Sequence, residues 1–430
     1  MRCRFQMVPS LSRWENPEDA GARRQLRFHV HLEGTRIVMN AEVSETVATS
    51  EHSGVKVPFV DLKAQFASIG AEVQEAIHDV LQSAQFVGGP WVERFEREFA
   101  AYLGCKYVVG VSNGTSALEL ALKAAGIKPG DDVIVPANSF FATPEAVSNV
   151  GARPVFADVD ERTFCLDVAS AEAVRTPQTR AVMPVHLYGR AMDMAPVEEF
   201  AARYDLAIVE DAAQAHGSSR SGKRVGSRGH LTCFSFYPGK NLGAYGEAGA
   251  VACNDLEEAQ QLKLLREHGS PSKYQHTLIG TNARLDSLQG AVLSVKLRHL
   301  EGWNSQRVNH ALAYSRGLAG AALHLPEVPP RGEHNFHLFV IRTPERDELR
   351  EFLESKGIGV GIHYPVPLHL TKAYQDLGYP GPGSLPVSEK LSREILSLPM
   401  YAELTPKQIG RVVDTVLDFT SARNVRVAAS

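Results

Sequence analysis

Long apolar runs are missing from this sequence. No stretch of its 430 residues approaches the roughly eighteen consecutive apolar positions that a membrane-crossing helix needs, so no membrane role is expected. Cysteine is scarce. Cys3, Cys105, Cys165, Cys233 and Cys253 are isolated, form no CxxC pair and are odd in number, which excludes a disulfide or zinc framework and reads as reduced thiols of a cytoplasmic protein. A basic excess is absent too: 45 Lys+Arg against 49 Asp+Glu gives a net charge of -4, and no basic stripe or helix-turn-helix pattern suggests a nucleic-acid partner. No internal repeat or low-complexity tract occurs. What is present is ordinary for a globular enzyme, with 44% hydrophobic and 22% charged residues. That is ample material for a core and excludes a wholly disordered chain. The length fits two or three domains, or one large α/β unit with an appended lobe.

Residues 1–54 differ from the remainder. Residues 1–40 carry seven Arg, no Lys and four acidic residues, without a regular apolar period or a secretory apolar run. The segment reads either as a targeting arm or as a poorly ordered extension ahead of a start at Met39; the missing period favours the extension. From Val57 the pattern is regular. Trp91–Gly104 sets Phe95, Phe99 and Tyr102 on one helical face and ends at a glycine, while Arg94, Arg97, Glu93, Glu96 and Glu98 read as its solvated side. Short apolar runs follow at Tyr107–Val111, Asp132–Pro136, Pro154–Val159, Ala181–Val185, Leu206–Val209, Thr232–Phe236 and Gly249–Cys253. Helical patterns lie between them at Ala117–Ala125, Val197–Tyr204 and Leu256–Glu267. That alternation predicts an α/β domain over 55–300 with a mostly parallel central sheet. Beyond about residue 300, His337–Arg342, Glu345–Lys356, Gly359–Tyr364 and Pro406–Phe419 predict a smaller C-terminal α+β domain over 301–430.

Three stretches of the larger domain carry chemistry. Ser112-Asn-Gly-Thr-Ser-Ala-Leu118 follows a strand and opens a helix, so Gly114 permits close approach and the amides of Thr115 and Ser116 are available to an anion. Alone, it reads better as a capped strand-to-helix turn. Val209–Gly217 brings Asp211 to the carboxyl edge of the sheet, where a carboxylate can hold a cationic ring nitrogen, or merely cap a loop. Cys233–Leu242 carries Ser235 out of a strand, turns at Pro238-Gly239 and presents Lys240, which by itself would be a solvated charge. Separately each bland reading wins. Together, in one α/β domain, a phosphate cradle, a carboxylate for a pyridinium and an amine for an aldehyde are what pyridoxal 5′-phosphate requires.

The chain from 57 to about 420 resembles the DegT/DnrJ/EryC1/StrS family of sugar aminotransferases, which are fold-type-I pyridoxal-phosphate enzymes. The resemblance rests on Val57-Pro-Phe-Val-Asp-Leu-Lys63, Ser112-Asn-Gly-Thr-Ser-Ala117, Pro136-Ala-Asn-Ser-Phe-Phe-Ala-Thr143 and Glu210-Asp-Ala-Ala-Gln-Ala-His216. Ser235-Phe-Tyr-Pro-Gly-Lys240, Gly280-Thr-Asn-Ala-Arg-Leu-Asp286, His363-Tyr-Pro-Val-Pro-Leu-His369 and Leu396-Ser-Leu-Pro-Met400 continue it in order. It implies that Lys240 holds the cofactor and shuttles a proton, and that Asp211 keeps the ring nitrogen protonated. Gln214 would bond the ring hydroxyl, and Phe140 would stack on the ring while Phe141 packs inward. Gly114, Thr115, Ser116 and Ser235 would hold the phosphate. Asn282 would reach the phosphate of a second subunit, implying a homodimer with shared sites.

Other candidates have two readings each. His186 lines the site or is a satisfied strand-end histidine. Arg284 meets the donor's carboxylate or braces the Asn282 loop. His363 and Tyr364 are candidates for touching the sugar nucleotide, and His216 for standing behind Gln214. The resulting expectation is a cytoplasmic transaminase that aminates a nucleotide-linked keto-sugar, in the manner of members acting at C3 of a dTDP-deoxyhexose. Its donor would be an amino acid, L-glutamate by preference, and its product would serve aminodeoxysugar synthesis. The rivals are a lyase of the same fold type, a sugar dehydratase (in which histidine replaces the lysine, so Lys240 argues against it) and a non-enzymatic regulator.

Overall fold

The computed structural model describes residues 24–32, 35–43 and 56–428, with side chains from 56 to 421. The chain divides into two units, Met1–Val55 and Lys56–Ser430. In the first, strands β1 (Arg24–Leu32) and β2 (Thr35–Val43) pair antiparallel, from Arg24 opposite Val43 to Leu32 opposite Thr35. The alternation Leu26, Phe28, Val30, Leu32 has the strand period of two, which a search for a helical face passes over. The rest of the expected extension lies outside the described residues.

In the second unit the strands are β3 (Tyr107–Val111), β4 (Asp132–Pro136), β5 (Arg153–Ala157), β6 (Thr179–Val182) and β7 (Ala207–Asp211). A two-residue ribbon, β8 (Ser219–Arg220) and β9 (Lys223–Arg224), precedes β10 (Leu231–Ser235) and β11 (Gly249–Cys253). Seven of these form one sheet in the order β3-β11-β10-β7-β6-β4-β5. All neighbours are parallel except β11, which runs antiparallel to β3 and β10. Every residue of β4 and β11 is buried, as expected of strands covered on both faces. One apolar cluster packs Val133, Val135 and Val251 with Leu118 and Leu122; another packs Phe95 and Phe99 with Phe234 and Phe236.

The helix Pro90–Leu103 starts on a proline and ends at Gly104 with φ 79°, a conformation glycine adopts without strain. Phe99 stacks between Phe95 and Tyr102, as the spacing predicts. Its charged side is not uniformly solvated. Glu96 is buried, accepting from Gly110 N at 2.8 Å and pairing with Arg266 at 2.5 Å, because the sheet edge covers that flank.

Toward the C-terminus, β12 (Phe339–Arg342) and β13 (Ile395–Leu398) pair antiparallel. Helices Leu300–Gly317, Arg346–Ser355 and Pro406–Ala428 accompany them. Tyr314, Phe339, Leu349, Leu396 and Val412 share a core of their own. Gly359–Tyr364 is not a strand; only Gly361 bridges, exchanging hydrogen bonds with Ser397. Two glycines and the following Pro365 interrupt any longer ladder.

Candidate active site

The site lies at the carboxyl ends of β7 and β10 and at the start of the helix Gly114–Ala124, which follows β3. Asn113 caps that helix, its Oδ1 accepting from Ser116 N at 2.8 Å. The Ser116 amide is therefore not free, contrary to the sequence expectation, because asparagine rather than serine or threonine does the capping. Ser116 contributes its hydroxyl, 3.1 Å from Ser112 Oγ. Gly114 and Thr115 carry the uncommitted first-turn amides. A Cβ on Gly114 would stand 2.6 Å from Ser235 Cβ, so helix start and strand end meet only because position 114 has no side chain. Gly249 does the same from β11, where a Cβ would meet Asn113 O at 2.3 Å. The sequence offered no signal for Gly249 beyond a glycine opening a strand.

β7 delivers Asp211, buried at 6% exposure, to its end. Its Oδ1 accepts from Ala213 N at 3.1 Å and its Oδ2 from Thr143 Oγ1 at 2.8 Å. Thr143 in turn lies 2.8 Å from Ser139 Oγ. Gln214 is buried; its Oε1 accepts from Tyr188 N at 2.6 Å and its Nε2 donates to Tyr364 Oη at 3.3 Å. The Tyr188 hydroxyl donates to the His363 carbonyl. Thr143 sits in a stretch that the sequence singled out, yet neither it nor Tyr188 was given a task.

Lys240 stands on the turn after β10 and makes no ion pair among the described residues. Burial brings its ammonium down to about 8, against the upward pull of the Asp211 carboxylate. Imidazoles nearby are held neutral. Burial and then the Lys240 charge lower His216 to about 3 and His363 to about 4. Burial and the Asp211 charge raise the Tyr364 hydroxyl well above its ordinary range.

The two adjacent phenylalanines part, and Phe141 packs inward as expected. Phe140 is 55% exposed with its ring 5.6 Å from that of Tyr364, whereas Phe141 packs on Tyr374 in the core. His186 takes the second of its two readings. It is buried, its Nε2 meets Glu210 Oε2 at 2.7 Å and its Nδ1 accepts from Met192 N at 3.0 Å, leaving no nitrogen for a substrate. Arg284 pairs through Nη1 with Glu267 Oε1 at 2.8 Å, and Asn282 on the same loop is exposed. His363 Nδ1 lies 2.9 Å from Ser397 Oγ and its ring stacks on Phe59.

This donor set fits pyridoxal phosphate: a glycine-opened helix start for the phosphate, a buried carboxylate for the ring nitrogen and a lysine of lowered basicity for the aldehyde. Known proteins are similar to this chain over most of its length. A dTDP-3-amino-3,4,6-trideoxy-alpha-D-glucose transaminase of Streptomyces venezuelae is 47% identical over 365 residues, 85% of this chain and 96% of that one. A Geobacillus stearothermophilus protein named pleiotropic regulatory protein is 44% identical over 368 residues, 85% of this chain and 99% of that one. The crystal structure of S. venezuelae DesV in complex with a ketimine intermediate matches with a TM-score of 0.84 at 47% identity, over 85% of this chain and 99% of that one. Fold and site define a fold-type-I, pyridoxal-phosphate-dependent transaminase. The chain belongs to the DegT/DnrJ/EryC1/StrS aminotransferase family, which matches residues 67–417.

Proposed function

We propose that this transaminase moves an amino group from L-glutamate to C3 of a keto-deoxyhexose carried on a nucleotide, dTDP by preference, in aminodeoxysugar synthesis. The observation that carries the chemistry is the meeting of Gly114 with Ser235 beside Asp211 and Lys240. The choice of sugar rests on the 47% identity to the S. venezuelae transaminase.

When bound, the cofactor supplies an aldehyde carbon and a pyridinium electron sink. Every other task falls to the chain. Gly114 and Thr115 offer amides, and Thr115, Ser116 and Ser235 hydroxyls, to the phosphate. Asp211 holds the proton on the ring nitrogen, with Thr143 and Ala213 N fixing its carboxylate. Gln214 Nε2, already aimed at a hydroxyl, serves the ring hydroxyl. Lys240 Nζ takes up and returns the proton that moves between substrate carbon and cofactor. Phe140 covers one ring face. His363 and Tyr364 border the sugar-nucleotide side.

The working unit in this proposal is a homodimer, Asn282 of each subunit completing the other's phosphate site. Asn282 is exposed, and Phe86, Val87, Phe140, Tyr237 and Tyr245 leave large apolar side chains uncovered on the single chain. The segments 55–300 and 301–430 act as large and small domains. Among the described residues no helix is long and apolar enough to cross a membrane. A cytoplasmic location is part of the proposal. The test is a panel of dTDP- and UDP-linked 3-keto and 4-keto sugars incubated with protein and glutamate. A dTDP-3-amino sugar with equimolar 2-oxoglutarate is expected; a product aminated at C4, or ammonia release, overturns the reading.

A further inference from the structure

Gln214 and Lys240 lie beyond the ends of two different strands, and their relative placement depends on more than the sheet. Asn335, 3% exposed, enters between them from the segment before β12. Its Nδ2 donates to the carbonyls of Gln214 and His216, both at 3.0 Å. Its Oδ1 accepts from His337 N at 2.9 Å, and its own N–H donates to Gly189 O at 3.1 Å. Gly189, with φ 97°, lies so near that a Cβ there would meet Asn335 Oδ1 at 1.8 Å. Gly189 follows Tyr188, whose N–H holds Gln214 Oε1, so Asn335 grips the Gln214 loop from two directions.

The other half of the cluster reaches the lysine. Asn241, next to Lys240 and 2% exposed, donates its Nδ2 to Asn304 Oδ1 at 2.9 Å and to Asn335 O at 3.4 Å. Asn304 Nδ2 closes the circuit on His216 O at 2.8 Å. Both Nδ2 hydrogens of Asn241 are committed, so its Oδ1 is an acceptor and His337 Nδ1, at 3.1 Å, carries the hydrogen. Asn335 and Asn241 each use both side-chain amide hydrogens and the amide oxygen, and full satisfaction of this kind is the condition under which a buried polar network rigidifies what it touches.

We propose that Asn335 is a positioning residue: through the Gln214 and His216 carbonyls and through Asn241, it fixes the placement of Gln214 relative to Lys240. A leucine at 335 would leave the Gln214 carbonyl and the His337 N–H unpaired and the His216 carbonyl held by Asn304 alone, and would release the turn to water. This inference rests on Lys240 and Gln214 being the cofactor's partners.

The experiment uses the full chain as wild type, Asn335→Leu and Asn304→Ala. In cofactor-free protein, trace labelling with acetic anhydride, read by mass spectrometry across pH, gives the midpoint of Lys240. Wild type should titrate near 8. Asn335→Leu should move that midpoint upward by about one pH unit as water reaches the turn, and Asn304→Ala should move it the same way by less. Pyridoxal phosphate, titrated by its fluorescence, should bind Asn335→Leu about tenfold more weakly. Folded variants with unchanged midpoint and affinity, whatever their melting temperatures, overturn the proposal. Should Asn335→Leu fail to fold, the Asn304→Ala midpoint decides alone: a rise supports the clamp and no shift overturns it. Borohydride reduction of the wild-type holoenzyme must fix the cofactor to Lys240; failure there defeats the underlying assignment rather than the clamp.

Discussion

Thr143 Oγ1 donates to Asp211 Oδ2 at 2.8 Å, and this direction settles the contact behind it. An ionised carboxylate only accepts, and Thr143 has a single hydroxyl hydrogen, so the 2.8 Å contact to Ser139 Oγ is donated by Ser139. A relay of hydroxyls, from Ser139 in the loop after β4 to Thr143 in the helix Ala142–Asn149, thus orients the carboxylate delivered by β7.

Thr143→Val should cost activity without unfolding the protein. A hydrogen bond to a charged group is worth about 1.5–3 kcal/mol, which corresponds to a fall in kcat of roughly 10- to 150-fold. Thr143→Ser should restore most of it. Steady-state kinetics on the three proteins check this, and a valine variant at wild-type kcat removes Thr143 from the mechanism.

Lys240→Ala should fold and show no turnover. In the wild type, capture of the cofactor's aldehyde needs the neutral amine. With Lys240 lowered by burial to about 8, the ammonium form predominates below that pH and the amine above it. The capture rate should climb with pH and level off above about 8. Stopped-flow absorbance tests this, and a climb continuing toward 10.5, the ordinary lysine value, contradicts the desolvation of the Lys240 amine.

Gly114→Ala places a methyl group 2.6 Å from Ser235 Cβ and 3.2 Å from its Cα, so the helix start must move off the strand end. Pyridoxal phosphate should bind at least about tenfold more weakly, a loss of about 1.4 kcal/mol, while far-ultraviolet circular dichroism stays unchanged. Equilibrium titration gives the affinity, and an unaltered value argues against a phosphate cradle at this helix.

His216 predicts an acid-sensitive fold. Buried between Phe234 and Phe236 with neither ring nitrogen bonded, it is held neutral to about pH 3 by burial and by Lys240. As pH falls below 6.5 the unfolded chain takes up a proton that the folded chain refuses. Stability therefore drops with falling pH, by up to about 1.4 kcal/mol for each unit. His334, lowered to about 3, and His363, lowered to about 4, act in the same sense. Urea unfolding of His216→Phe should lose stability less steeply than wild type from pH 6.5 to about 5; parallel slopes would contradict it.

The shared site is tested by mixing defective subunits. Asn282→Ala should weaken cofactor retention by roughly 1.5–3 kcal/mol if its amide bonds a phosphate. A hybrid of Lys240→Ala with Asn282→Ala subunits then has one site lacking both groups and one site lacking neither. Activity at limiting cofactor should exceed the mean of the parents. No gain, with hybrid formation shown by native mass, would place Asn282 in its own subunit's site.

Much of this molecule is legible one residue at a time. Gly249–Cys253 is a strand at the predicted ends because a short apolar run bounded by turn residues has few other fates when both faces are covered. Lys240, Asp211 and Ser235 could be singled out because a cofactor chemistry demands those residue types at the ends of strands and turns. By themselves, though, neighbouring letters cannot say which of two bonds a side chain makes. His186 had two readings, and only the positions of Glu210 and Met192 chose between them. Glu96 looked solvated until the sheet edge covered it. Asn335 gave no local signal at all: it lies 121 residues from Gln214, and an asparagine in a loop is bland until its hydrogen-bond partners arrive. Sequence determined the periods, the turns and the kinds of groups available; long-range packing decided which polar atoms meet, because a hydrogen bond depends on ångström-scale placement that only the assembled core imposes.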